Sequence, residues 1–118
     1  VGSGGAHDIA CLIPNLIILM PHDPRRFVDT VDFATSPGSG KDIKKIRDQL
    51  NLPEGPSILI TDKAKFIMSD EGWLLHSILD SFTFEQATEG LPWSLKPPIS
   101  GPIETDATII SALAQINY

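Results

Sequence analysis

Apolar residues fall into two patterns along the chain, uninterrupted runs and stripes of helical period, with proline and glycine between them. Residues 16–20 (L-I-I-L-M), closed by Pro21, and residues 57–61 (S-I-L-I-T) read as strands buried on both faces, as in the interior of a parallel sheet. Residues 64–68 and 73–78 are further extended segments, and the Ser69-Asp70-Glu71-Gly72 link between them carries the acidic-glycine ending of a hairpin turn. Residues 31–35 (V-D-F-A-T) predict another strand, closed by Ser36-Pro37-Gly38-Ser39-Gly40. Over residues 41–50, Ile43, Ile46 and Leu50 stand at helical spacing, which predicts an amphipathic helix with its charges outward. Residues 6–12 form a short helix. Thr83 and Gln86 have the spacing of a capping box ahead of a helix over 84–89. Thr105 heads a last helix whose stripe is Ile109, Ile110, Leu113 and Ile116. Pro21-His22-Asp23-Pro24 is a turn, because two prolines fix φ and bias their predecessors away from helix, and the proline-rich residues 91–102 cross the surface. Helices interspersed with buried strands, followed by a hairpin and a final helix, define an α/β class. The expected architecture is an open mixed sheet flanked by helices, in one domain over residues 1–118.

Composition narrows the function classes. With 118 residues, 42% of them hydrophobic and 20% charged, the chain has material for a real core. A net charge of −6 removes the basic footprint of nucleic-acid binding and sets the chain against an anionic membrane surface. The basic residues gathered in 41–47 read as a solvated helix face. The longest apolar stretch, residues 9–20, is broken by Pro14-Asn15 and is too short to span a bilayer, so no membrane role is expected. A single cysteine, Cys11, allows no internal disulfide and points to a cytoplasmic setting, where it reads as an ordinary buried thiol. The chain begins with Val1 inside a glycine motif, which reads as a cut end; an alternative start codon or processing gives the same appearance.

Several candidate chemistries fail on spacing. G-x-G-x-x-G from Gly2 requires glycine where His7 stands. Gly38-Ser39-Gly40-Lys41 resembles the tail of a P-loop, but that pattern needs glycine at Thr35 and a hydroxyl at Asp42. His7, His22 and His76 are scattered, so no metal site is expected, and no nucleophile elbow is present. What remains is Gly2-Ser3-Gly4-Gly5-Ala6. As a linker or tag remnant the cluster means nothing. As the entry to a helix it presents unpaired N–H groups of Ser3, Gly4, Gly5 and Ala6, which attract negative charge and can stabilise the oxyanion of an acyl-transfer intermediate.

Gly2-Ser3-Gly4-Gly5-Ala6 with Asp8-Ile9-Ala10, then Met20-Pro21-His22 and Arg25-Arg26-Phe27-Val28, then Val31-Asp32-Phe33-Ala34-Thr35-Ser36-Pro37-Gly38, resembles the beta subunit of family I CoA-transferases, glutaconate type, and its ring-opening CoA-thioester hydrolase relatives. Leu52-Pro53 with Gly55-Pro56, the Thr61-Asp62-Lys63-Ala64 turn and Thr105 extend the likeness over nearly the whole chain. The resemblance implies a CoA-transferase-like sheet, of which this chain is the C-terminal half, and an active site shared with an alpha-type subunit and with the missing N-terminal half. It implies Gly4 and Gly5 as oxyanion donors, Gly2, Ser3 and Ala6 as shapers of the acyl-CoA site, and Arg25 and Arg26 as substrate or interface residues. A coenzyme A thioester is the implied substrate, with no permanently bound cofactor. Two departures stand out. The family's nucleophilic glutamate has no match among Glu54, Glu71, Glu85, Glu89 and Glu104, and Leu79-Asp80-Ser81 replaces a His-Pro-Gly that relatives carry. The expected function is therefore one part of an acyl-CoA:carboxylate CoA-transferase, inactive alone. A hydrolase subunit of the same family and a non-catalytic interaction subunit are the alternatives. Self-association through an exposed apolar edge is also expected.

Overall fold

The computed structural model describes residues 4–104. Their elements run α1 (Gly4–Leu12), β1 (Ile17–Leu19), a 3-10 turn (Pro24–Arg26), α2 (Lys41–Gln49), β2 (Ile58–Ile60), β3 (Ala64–Ser69), β4 (Gly72–Ile78) and α3 (Phe84–Thr88). The strands form one mixed sheet in the order β1-β2-β3-β4. β1 and β2 pair in parallel, with Ile18 opposite Leu59, while β2-β3 and β3-β4 are antiparallel. The α/β class and the open mixed sheet are those expected from the sequence.

Local chemistry explains the best-defined elements. Gly72, with φ +108, closes the β3-β4 hairpin, and the Ser69 hydroxyl donates to its carbonyl at 2.9 Å. The capping box of α3 is complete: the Gln86 amide donates to Thr83 Oγ1 at 3.2 Å, and the Thr83 amide donates to Gln86 Oε1 at 2.9 Å. The core lies where Phe27, Leu59, Phe66, Leu75, Ile78 and Ala87 meet. Trp93 stands edge-on to Phe27 and Phe66, at centroid distances of 5.5 and 6.4 Å, so the 91–102 connection contributes to the core as well as crossing the surface.

Three expectations are corrected. Residues 31–35 form no strand: they pair with none of the sheet's strands, and Val31 and Phe33 are exposed. β1 exists but is not buried on both faces, because it is the sheet's outer strand among the described residues and leaves Ile17 and Leu19 exposed. The charges of α2 do not all point outward. Arg47 is 1% exposed, whereas Ile46 and Leu50 are 52% and 63% exposed. The last helix, headed by Thr105, lies outside the described residues.

The Arg47 guanidinium is held by backbone carbonyls from three separate segments, and Gly55 closes over it. Gly55 has φ +88, and a Cβ there would come within 2.7 Å of Arg47 Cζ and 2.9 Å of the Gly38 carbonyl oxygen. Left-handed strain of about 1–2 kcal/mol therefore adds to a steric conflict that a pinned side chain cannot easily relieve. Gly55→Ala is expected to lose about 2 kcal/mol or more of stability, read as a lower urea midpoint at unchanged slope.

Candidate functional site

Helix α1 starts at Gly4, two residues before the start expected from the sequence, so both Gly4 and Gly5 lie in its first turn. Gly4 has φ +50, a left-handed conformation ahead of the regular helix that glycine adopts without strain. The amides of Gly4, Gly5 and Ala6 precede the point where the i→i−4 ladder can satisfy them. All three residues are exposed, and a Cβ built on Gly4 or Gly5 would meet nothing within 4 Å. A reacting group can thus approach these amides without a side chain in the way, and the partial positive charge of a helix start favours an anionic oxygen there. Gly2 and Ser3 lie outside the described residues.

The second sequence block of interest follows β1. His22 is buried at the strand's end, where its amide donates to Asp62 Oδ1 at 2.6 Å and its Nδ1 lies 2.9 Å from Thr61 Oγ1. Its ring packs against Phe27 and Phe66, at 5.2 and 6.3 Å between centroids. The Met20-Pro21-His22 and Thr61-Asp62-Lys63-Ala64 blocks, 40 residues apart in sequence, are thereby one structural unit. Burial first, then the Lys63 charge, lowers the His22 pKa below its ordinary value of 6.5, against the opposing effects of Asp62 and the Ala87 carbonyl. His22 Nε2 meets no partner at full hydrogen-bond geometry. The unfolded chain therefore binds a proton near pH 6.5 that the folded chain resists, and stability falls as pH drops below about 6.5. Urea midpoints are expected to decline from pH 7 to pH 5, and His22→Asn is expected to flatten that slope.

Arg25 and Arg26 end the 3-10 turn, both exposed. Asp23 caps this turn by accepting from the Arg25 amide at 3.0 Å, and the Arg25 side chain forks back onto the same carboxylate, with Nη2 donating to Oδ2 at 2.7 Å. The hydrogen bonds from the Arg25 side chain, foremost, pull the Asp23 pKa down to about 2. Arg25 is thus engaged with Asp23, while Arg26 donates only its amide, to the Asp23 carbonyl at 2.8 Å, and its exposed guanidinium makes no described hydrogen bond or ion pair. No described hydrogen bond or ion pair links either arginine to the first turn of α1. The structure brings Gly4, Gly5 and Ala6 together and leaves the arginines on a different element. Glu54, in its turn, pairs with Lys44 at 3.4 Å.

One pair escaped the sequence reading. His7 and Cys11 stand one turn apart on α1, with Cys11 Sγ 3.5 Å from His7 Nε2. Their i, i+4 spacing on an expected helix was the available signal. Among the described residues no three of His, Cys, Asp and Glu converge on a metal-sized site, and no helix is long and apolar enough to cross a membrane.

Comparison with known proteins gives this geometry relatives. No family model matches the chain. Over 64 residues, 52% of this chain and 23% of the relative, it is 47% identical to the B subunit of glutaconate CoA-transferase from Acidaminococcus fermentans. Over 122 aligned positions, 95% of this chain and 46% of the relative, it is 32% identical to the B subunit of 3-oxoadipate CoA-transferase from Pseudomonas knackmussii. The crystal structure of glutaconate coenzyme A-transferase from A. fermentans superposes with a TM-score of 0.74 at 30% identity, covering 98% of this chain and 45% of that one. By sequence and by fold the chain is similar to the CoA-transferases. Among them it is similar to the B-type chains, and it spans less than half the length of the relatives it matches.

Proposed function

We propose that the chain acts as one part of an acyl-CoA:carboxylate CoA-transferase, presenting the first turn of α1 to the thioester carbonyl. The open approach to the amides of Gly4 and Gly5 carries this reading. In it, the Gly4 and Gly5 N–H groups receive the developing oxyanion, and Gly2, Ser3 and Ala6 border the acyl group. Arg26, unlike Arg25, has its guanidinium available for a substrate carboxylate or for CoA phosphates. The transferring glutamate comes from another segment or chain, since none of the glutamates here stands in the family's motif. The B-type relatives support an alpha-type partner. The exposed Ile17 and Leu19 of β1, with Ile9 and Leu12 of α1, support burial of this edge by a partner or by the remaining half of the fold.

The test is reconstitution. Mixed with an alpha-type subunit and a segment equivalent to the relatives' N-terminal half, the chain is expected to exchange CoA between an acyl-CoA and a carboxylic acid and to leave a borohydride-trappable glutamyl thioester. Free acid released without an acceptor would mark the hydrolase instead. A stable chain that binds no CoA would favour the non-catalytic alternative, and a strictly monomeric one would contradict self-association.

A further inference from the structure

A groove of about 390 Å³ runs between α1, the 34–37 segment and α2. Its size falls within the ~300–1,000 Å³ range of small-molecule sites. Ile43, Ile46, Leu50 and Pro37 give it apolar walls, and His7 and Cys11 form one side. Ile46 and Leu50 remain more than half exposed, so apolar surface there is available to a ligand.

The chemistry in that wall is directional. His7 Nδ1 lies 3.0 Å from the Thr35 carbonyl oxygen, which can only accept. Nδ1 therefore carries the proton in the neutral ring, and Nε2 offers its lone pair to the Cys11 thiol at 3.5 Å. A nucleophile beside a base, the base in turn oriented by a third group from another segment, is the arrangement that activates thiols.

We propose that this groove is an S-acylation site, in which Cys11 accepts the acyl group of an apolar-chain thioester. His7 Nε2 takes the thiol proton as Cys11 Sγ attacks the thioester carbonyl carbon. The new S–C bond forms, the bond from that carbon to the leaving sulfur breaks, and the leaving thiolate recovers the proton from His7. The products are S-acyl-Cys11 and a free thiol. The acyl chain lies along Ile43, Ile46 and Leu50. This site stands apart from the transferase reading, because it needs neither a carboxylic acid acceptor nor a partner chain.

The full chain is incubated with the octanoyl and acetyl thioesters of N-acetylcysteamine, which lack the nucleotide of CoA, and adducts are followed by intact mass and peptide mapping. The octanoyl adduct, released by neutral hydroxylamine, is expected at Cys11 at least about tenfold faster than the acetyl one, each buried methylene being worth about a fourfold factor. His7→Gln is expected to slow octanoylation about a hundredfold, the scale of a lost general base. Leu50→Asp, at an exposed position, is expected to bring the octanoyl rate down to the acetyl one. No adduct at Cys11, equal rates for the two chain lengths, or an unchanged rate in a folded His7→Gln chain each overturns the proposal. Should His7→Gln fail to fold, the chain-length preference and the Leu50→Asp result decide it.

Discussion

An Arg47→Met chain is expected to lose at least about 3 kcal/mol of stability, the scale of breaking a buried charged network. Methionine nearly matches the volume but brings no donors. Arg47 Nε donates to the Gly38 carbonyl at 2.9 Å, Nη1 to Pro53 at 2.8 Å, and Nη2 to Ala10 at 2.8 Å and Pro37 at 3.1 Å. No carboxylate joins the set, so the charge rests on four carbonyl dipoles. Each carbonyl stripped of its donor in a dry setting costs about 1–3 kcal/mol, less where water can reach it. The same four bonds tie α1 to α2 and to both flanking loops, so α1 amides are expected to lose hydrogen-exchange protection along with the fall in urea midpoint. Arg47→Lys should recover only part of the loss, because an ammonium with three donors cannot reach carbonyls spread around a planar fork. An unchanged midpoint in Arg47→Met would mean that the guanidinium is not what joins these segments.

That contact also shows where sequence reading stops. The β3-β4 hairpin and the α3 capping box were legible because their determinants lie within a few residues of one another, at Ser69 to Gly72 and at Thr83 with Gln86. The span of α2 was legible from Ile43, Ile46 and Leu50, but its orientation was not. Arg47 stands beside exposed Ile46 and three residues before exposed Leu50, and what draws it inward is a set of acceptors up to 37 residues away. The 31–35 segment failed for a related reason. Its composition suits a strand, yet a strand requires an edge to pair with, and no local pattern states whether one is present. At the candidate site, the glycine cluster and the paired arginines were legible as blocks. The engagement of Arg25 with Asp23 emerged only from the fold.

Under the transferase reading, Gly5→Val is expected to lower CoA exchange in the reconstituted complex about 10²–10³-fold, the loss seen when an oxyanion donor is removed. Gly5 is the informative position because its two properties point in opposite directions. A Cβ there meets nothing within 4 Å and Gly5 has no positive φ, so the folded chain accommodates a side chain. Removing a glycine's excess freedom from a helical position is worth up to about 1 kcal/mol for alanine, so Gly5→Ala should fold at least as well as the parent. The same open space is what the thioester needs, and an isopropyl group would occupy it directly over the first-turn amides. Gly4 cannot serve as the control, because its φ of +50 makes any side chain costly by about 1–2 kcal/mol and mixes strain with chemistry. The expected signature is therefore an undiminished urea midpoint with activity falling from Gly5 to Ala to Val. Full exchange activity in a folded Gly5→Val chain would remove the first turn of α1 from the acyl site.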